Sequence, residues 1–380
     1  MESHNMDSHD VTSRDMNAYG VIDPEGDIFL IVEERQGRVY TRLSEIFSDH
    51  QVRSTLPSPS TAEESETIDL DESSSLSRES SPDPSVSDLV SSTLLDGDSE
   101  QDAPDKKTKI RVSSKHLAFA SPRFQDMLES SDGEFGRIER DLLPAGFDNL
   151  SAVLVLLNVI HGCARKVPRS LDPETLCMVA MLAEHYECLE AVEVYFENWV
   201  RNIEDRVPRV YTDDLSIWLY IAWTFKHQML FKHVTRIAVR ESTGPVPTLD
   251  LPIPKKLIEH IETLRQYRVT EILKSLFERL EYLLEHKNCC QDCDMMLVGS
   301  LVCQMKAQGL LPQPEDPFLG FSVECLLAKV GKMKETRCKD LIHPANGCPV
   351  LGCLMMPKTR VVLNRVDDEL TGLELTWCVL

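Results

Sequence analysis

An α+β fold is predicted for this chain, with a small sheet near its start and helices in the rest. Short β-prone runs occur only before residue 144, whereas apolar residues at helical spacing dominate from residue 148 onward. A serine-rich, acidic tract separates the first of these strands from the others. At 42% hydrophobic residues, the 380-residue chain can bury at least one core.

The α+β domain is predicted to begin at residues 19–47, after a polar stretch, residues 1–18, that we expect to be disordered. Pro24 to Gly26 favour a turn, and the apolar run at residues 28–32 favours a strand. Another strand is predicted at residues 38–41, after Gly37. The pattern ends at Phe47.

Residues 48–105 are predicted to be a disordered acidic insert in this domain. The first 105 residues carry 25 acidic and six basic side chains, against 37 and 34 in the remainder. The insert contains no Phe, Trp or Tyr, so it cannot bury enough apolar surface to offset the entropy of ordering. Ser58 and Ser81, each followed by proline, are predicted phosphorylation sites.

The second part of the domain is predicted at residues 106–203. Ile110 and Val112 indicate the end of a strand, and Ser113 or Ser114 can cap the helix that follows. Pro122 predicts a bend or break near Ser121. The apolar face of this helical stretch consists of Leu117, Ala120, Phe124, Met127 and Leu128.

Three further helices complete this part, after a short strand predicted at residues 137–143. The run at residues 148–161, capped by Asp148 or Asn149 and closed by Gly162, is apolar on nearly every face, which predicts a buried central helix. Asp172 followed by Pro173 predicts the start of the second helix. The third helix follows Cys188 and Leu189.

The order and sequence of these elements resemble a BTB/POZ domain, and in particular the uncharacterised BTB-domain proteins of filamentous fungi. The residues that carry the resemblance are Leu117, Ser121 and Phe124, residues 160–162 and residues 183–188. Two features depart from the family: the acidic insert, and His161, which stands where many BTB domains have an aromatic residue.

The resemblance implies a dimer interface that includes the first strand and helix, and in some members an adaptor role for cullin-type ubiquitin ligases. We therefore consider Leu117, Phe124, Met127 and Leu128 as candidate interaction residues. Packing of the same residues in the core is the alternative, and the sequence does not decide between the two.

Residues 204–287 are predicted to be helical. Residues 255–287 repeat apolar side chains at spacings of three or four, with one wider gap, which predicts one long helix or two stacked ones. A coiled coil is one interpretation. A helix packed in an all-α region is favoured because the phase is unsettled near Tyr267 and Arg268.

The last region, residues 288–380, is rich in cysteine. Cys290 and Cys293 have the spacing of half a zinc site, and His343 and Cys348 could supply the other ligands, although their spacing is irregular. Zinc is the one cofactor that these residues suggest. The alternative, which we favour, is partly buried thiols in a reducing compartment.

The sequence favours binding over chemistry. It contains no phosphate loop, G-x-S-x-G, H-E-x-x-H or G-x-G-x-x-G motif, so no enzymatic activity is expected. A pI near 4.9 disfavours nucleic-acid binding. The polar N-terminus lacks a secretory signal, and the longest apolar run is too short for a membrane span, so we expect a cytoplasmic or nuclear protein.

Two hypotheses about function remain. The first is an interaction scaffold or adaptor, whose partners would be proteins: a second copy of the chain or a cullin-type scaffold. The alternative is a transcriptional or chromatin cofactor that uses the acidic, serine-rich segment.

Overall fold

The structure, a computed structural model, describes residues 18–34, 106–130, 149–287, 291–336 and 355–375. Within them the predicted α+β fold is confirmed: a small sheet is followed by helices. The expectations for residues 1–17, 38–41, 48–105 and 137–143 lie outside the described residues.

The sheet has three strands, β1 (Ala18–Val21), β2 (Ile28–Glu34) and β3 (Lys106–Val112), in the order β1-β3-β2. Strand β3 runs parallel to β1 and antiparallel to β2, with Leu30 opposite Ile110. Alternate residues face the core, as the pleat of a strand requires. The fully or almost fully buried ones are Leu30, Val32, Ile110 and Val112.

Two short helices follow β3, namely α1 (Ser114–Ala120) and α2 (Pro122–Glu129). The predicted break at Ser121 is confirmed. Ser121 caps α2 by accepting a hydrogen bond from the Phe124 N–H at 2.9 Å, and Pro122 occupies the first turn, where its missing N–H costs nothing. The chain therefore turns between the two helices without leaving the domain surface.

Helices α3 (Leu150–Ile160), α4 (Pro173–His185) and α5 (Leu189–Asn202) begin and end close to the predicted points. Asn149 and Asp172 cap the first two by accepting N–H bonds from the first turn. Gly162, with φ at +66°, ends α3. As predicted, α3 is buried on most faces, and it packs on α4 and α5.

The remaining helices include one long helix, on which four of the others pack. They are α6 (Leu215–Thr224), α7 (Gln228–Glu241), α8 (Lys255–Glu285), α9 (Gln291–Ala307), α10 (Val323–Gly331) and α11 (Pro357–Glu369), after a 3₁₀ turn at Glu204–Arg206. The 31-residue α8 packs against α7, α9, α10 and α11. These contacts support the packed helix over the coiled coil.

The irregular phase of α8 has a physical cause. The wider gap between apolar residues is filled by Val269 and by Arg265, which is fully buried. Tyr267 is 55% exposed. The buried stripe therefore continues through a charged residue, which a count of apolar positions does not register.

A continuous core joins the sheet to the last helices. Within it α4 packs on α6, and the Tyr220 hydroxyl of α6 donates to a Glu184 carboxylate oxygen of α4 at 2.5 Å. Among the described helices, none combines the length and apolarity that a membrane span requires.

Candidate interaction surface

Helix α1 is held at its first residues by two other elements. Its N-cap, Ser113, makes no side-chain capping bond; instead the Ser113 N–H donates to His161 Nε2 at 3.0 Å. The Ser114 N–H and hydroxyl donate to the two carboxylate oxygens of Asp27, at 2.7 and 2.5 Å. Burial opposes the charged form of Asp27, but these bonds hold the pKa of its carboxyl below the usual value. Two orphan N–H groups of the helix are thereby satisfied.

The junction of α1 with α2 is fixed to the end of α4. The buried Ser121 hydroxyl donates to the carbonyl of Tyr186 while accepting the Phe124 N–H. The Phe124 and Tyr186 rings stack, with centroids 4.2 Å apart. Both ends of α1 are thus bonded to elements distant in sequence.

The four candidate interaction residues fall into two pairs. Leu117 is 0% exposed and Phe124 is 3% exposed, so both are core residues. Met127 and Leu128 are half-buried and pack against the same core. This burial favours the alternative of core packing for these side chains.

The most exposed apolar side chain of this region is Phe119, which the sequence interpretation did not select. Phe119 is 95% exposed. It lies two residues from Leu117, and two residues rotate a helix by about 200°, so the two side chains occupy opposite faces. In the sequence, Phe119 can be identified as an apolar residue that lies outside the 3–4 spacing of the buried face. Phenylalanine is among the residue types most often found fully buried.

Charge is divided along α1 and α2. Lys115 is exposed at the start of α1, whereas Asp126 and Glu129 are exposed near the end of α2. Between them, Arg123 donates to the His185 carbonyl at 3.0 Å, which fixes its guanidinium on α4. We call the exposed residues Lys115, Phe119 and Pro122 the α1 face.

A depression in the surface lies between the end of α5 and the start of α7. It has a volume of about 400 Å³, and its lining includes Val200 and Leu230 with charges of both signs: Glu197, Arg201, Glu204 and Arg209. His227 caps α7 by accepting the Leu230 N–H at 3.1 Å, so its imidazole has a structural role. A mixed rim of this kind selects no particular ligand charge.

The suggested zinc site lies mostly outside the described residues, since only Cys293 of its four ligands is described. Cys293 is fully buried on α9, whereas Cys290, His343 and Cys348 lie outside. The described ranges contain no group of three or more His, Cys, Asp or Glu placed to hold a metal. Zinc binding therefore stays a prediction, as do the phosphorylation sites Ser58 and Ser81, which also lie outside.

Buried cysteines in the first domain are not poised for reactions. Burial raises the pKa of the Cys188 thiol to about 12, and it raises the pKa of the Cys177 thiol even further. Both thiols are therefore protonated at neutral pH and act as packing residues.

Comparison with known proteins identifies no relative, since neither a family model, nor a curated protein, nor a solved structure matches the chain.

Proposed function

We propose that this chain is a protein-interaction module of BTB type that self-associates through the α1 face. The observation that carries the proposal is Phe119, a phenylalanine ring that is 95% exposed on a helix bonded at both ends. The BTB assignment itself rests on the resemblance of the sequence.

Rigidity makes the α1 face suitable as an anchor. Binding sites lose affinity when side chains or loops must be ordered on association. Here the backbone of α1 is already held by Asp27, His161 and Tyr186. Phenylalanine is among the residues that are enriched in protein interfaces relative to the rest of the surface.

The occupant that we propose is a second copy of the chain. In a twofold dimer the same surface faces itself, so a surface with one basic end and one acidic end is self-complementary when the two copies run antiparallel. We infer that Lys115, exposed at the start of α1, pairs with Asp126 and Glu129 of the second copy, which are exposed near the end of α2, so that α2 takes part in the interface beside the α1 face.

The surface area that a stable dimer must bury sets a further condition on the interface. A stable dimer buries on the order of 1,200–2,000 Å² in total, while one phenylalanine contributes about 150–250 Å². Two Phe119 rings therefore supply only part of the interface. The exposed surface of α2 and the outer edge of β1, where Val21 is 40% exposed, are the candidates for the remainder.

Light scattering coupled to size exclusion tests self-association of the full chain at several micromolar concentrations. We expect dimers for the wild type and monomers for Phe119→Asp, since a carboxylate at the centre of the interface would be desolvated without a partner. Val361→Asp is the matched control, because Val361 is 67% exposed on the distant helix α11. A monomeric wild type, or an unchanged dimer for Phe119→Asp, would refute the proposal.

An adaptor role toward a cullin-type scaffold is proposed on the resemblance alone. The test is direct binding of a purified cullin-type scaffold to the full chain, measured by calorimetry. The Phe119→Asp variant separates the two roles: binding that survives in a monomeric variant would show that the scaffold uses another surface.

A further inference from the structure

His161 occupies the C-cap of α3 with both ring nitrogens engaged. Nδ1 lies 2.8 Å from the Leu157 carbonyl oxygen, one turn earlier in the same helix. Nε2 accepts the N–H of Ser113, the N-cap of α1, at 3.0 Å. The half-buried ring therefore joins the end of one helix to the start of another.

The two partners define the protonation state of this ring. A carbonyl oxygen can only accept, so Nδ1 must carry the hydrogen; a backbone N–H can only donate, so Nε2 must be bare. The neutral Nδ1–H tautomer satisfies both bonds. A second proton on Nε2 would point at the Ser113 N–H, and the bond between them would be lost.

The surroundings favour the neutral ring. Burial is the largest influence and lowers the pKa of His161; the neighbouring imidazole of His116, with centroids 5.1 Å apart, lowers it too. The Leu157 carbonyl and Asp23, in the turn between β1 and β2, act in the opposite direction, whereas the Ser113 N–H bonds the neutral ring alone. The titratable groups with the largest effects on His161 are thus His116 of α1 and Asp23 of the turn between β1 and β2.

We propose that His161 is a pH-sensitive latch that holds the start of α1 on α3 in its neutral form and releases it when protonated. The geometry that motivates the proposal is the bond from the Ser113 N–H to His161 Nε2. Once Nε2 carries a proton, it can no longer accept this bond. Asp27 remains bonded to Ser114, so release loosens the first turn of α1 without detaching the whole helix.

The direction of the effect follows from proton linkage. The folded-state pKa lies below the ordinary value of 6.5, so the unfolded or released state binds the proton more readily. The stabilisation is complete above pH 6.5 and declines as the pH falls from there toward the folded pKa. In that window the released population grows by up to about tenfold per pH unit.

One consequence rests on the proposed function. Because Phe119 lies on α1, release would leave the position of its ring less well defined and would weaken self-association in mildly acidic conditions. The latch itself does not depend on dimer formation, and the following experiment keeps the two apart.

Hydrogen exchange of residues 114–120, corrected for the intrinsic pH dependence of exchange, tests the latch in the full chain. The measurement uses the Phe119→Asp background, in which the proposed interface is removed. Relative to α8 as an internal reference, we expect protection of α1 to fall by up to about tenfold per pH unit below pH 6.5. In His161→Gln the ratio should not change with pH.

His116→Gln is the matched variant. It keeps the latch and removes the neighbouring imidazole that lowers the pKa of His161, so the fall in protection should still begin near pH 6.5 but should level off at a higher pH and be smaller in total. A ratio of α1 to α8 protection that stays constant from pH 7.5 to 5 in the wild-type latch overturns the proposal, whether or not the ring titrates by NMR. The measurement with His161 intact decides the question by itself, so a His161→Gln variant that fails to fold does not affect the test. A monomeric wild type would refute self-association and leave the latch standing.

Discussion

The Phe124 and Tyr186 rings stack almost in parallel, with centroids 4.2 Å apart and planes inclined by 6°. Both residues are at most 3% exposed. Because the Ser121 hydroxyl also bonds the Tyr186 carbonyl and the Phe124 N–H, the start of α2 and the end of α4 form one unit. Phe124 thus anchors α2 in the core, while Phe119, on the preceding helix α1, carries the proposed interface.

Truncating the two phenylalanines should have opposite consequences. Phe124→Ala removes a buried ring and leaves a cavity, so we expect a loss of about 3–5 kcal/mol in the free energy of unfolding. Phe119→Ala should change stability by less than about 0.5 kcal/mol, as exposed substitutions do, and should weaken self-association. Denaturant unfolding and light scattering measure the two effects. Equal destabilisation by both variants would contradict the assigned burial.

Apolar periodicity predicted the elements of this region better than it predicted the surface. Leu117 and Phe124 were correctly placed on the apolar face, but an apolar face alone does not distinguish a core from an interface. Phe119 escaped because it breaks the periodicity. The role of His161 in bonding Ser113 depends on a contact across 48 residues, which no local pattern encodes.

Central helix α3 offers a direct test of the core. Leu156 and Leu157 are 3% and 2% exposed. An unpaired aspartate at Leu157 would have to stay protonated or unfold the domain, because burying a carboxylate without a partner is severely unfavourable. We expect Leu157→Asp to be insoluble or to lose its cooperative unfolding transition.

Ser151→Asp is the control for the same helix. Ser151 is exposed in the first turn of α3, which has no acidic residue. A negative charge there interacts favourably with the helix dipole, by about 0.3–1 kcal/mol. A Leu157→Asp protein that folds cooperatively would contradict the placement of α3 at the centre of the domain.

Arg265 should be among the most sensitive positions of the helical region. Its fully buried guanidinium donates to the Glu262 carboxylate at 2.6 and 2.8 Å and to the carbonyls of Pro317, Phe318 and Phe321. Burial opposes the charge on Glu262, but the bonds from Arg265 and Gln266 hold the pKa of that carboxyl below its usual value. Arg265→Met would leave Glu262 without its cation and would remove the Arg265 donor from the carbonyls of Pro317 and Phe321.

We expect Arg265→Met to cost about 3–5 kcal/mol in the free energy of unfolding, as removal of one partner of a buried pair does. Arg265→Lys should recover little, because a single ammonium cannot span the carboxylate and three carbonyls. The control is Lys274→Ala, which removes an exposed pair with Glu278 at 3.8 Å and should cost less than about 1 kcal/mol. Similar losses for Arg265→Met and Lys274→Ala would show that the loop at residues 315–321 does not depend on Arg265.

Replacement of residues 48–105 by a short Gly/Ser linker should leave the melting temperature nearly unchanged. The segment has no aromatic residue and a large excess of acidic side chains, so it has little apolar surface to contribute to a core. Differential scanning calorimetry on the full and shortened chains makes the comparison. A drop of several degrees would mean that the tract packs on the described core.

The final prediction concerns the last described segment, which crosses α7. Gly372 has φ at +85°, and a Cβ built on it would lie 1.9 Å from the Lys232 carbonyl oxygen. Next to it, the Leu373 N–H donates to the buried Thr235 hydroxyl at 2.9 Å. Gly372→Ala must therefore displace the segment from α7, and we expect it to lower the free energy of unfolding by more than about 1 kcal/mol.

Gly299→Ala provides the matched comparison, since it makes the same chemical change at an exposed site inside α9 where a Cβ meets no atom within 4 Å. That variant should stabilise the protein by about 0.5–1 kcal/mol, because alanine loses less conformational entropy in a helix than glycine. Thermal unfolding of the two variants should thus move in opposite directions. A stabilising Gly372→Ala would mean that the chain near Gly372 does not lie against the Lys232 carbonyl, and the contact of Leu373 with Thr235 would fall with it.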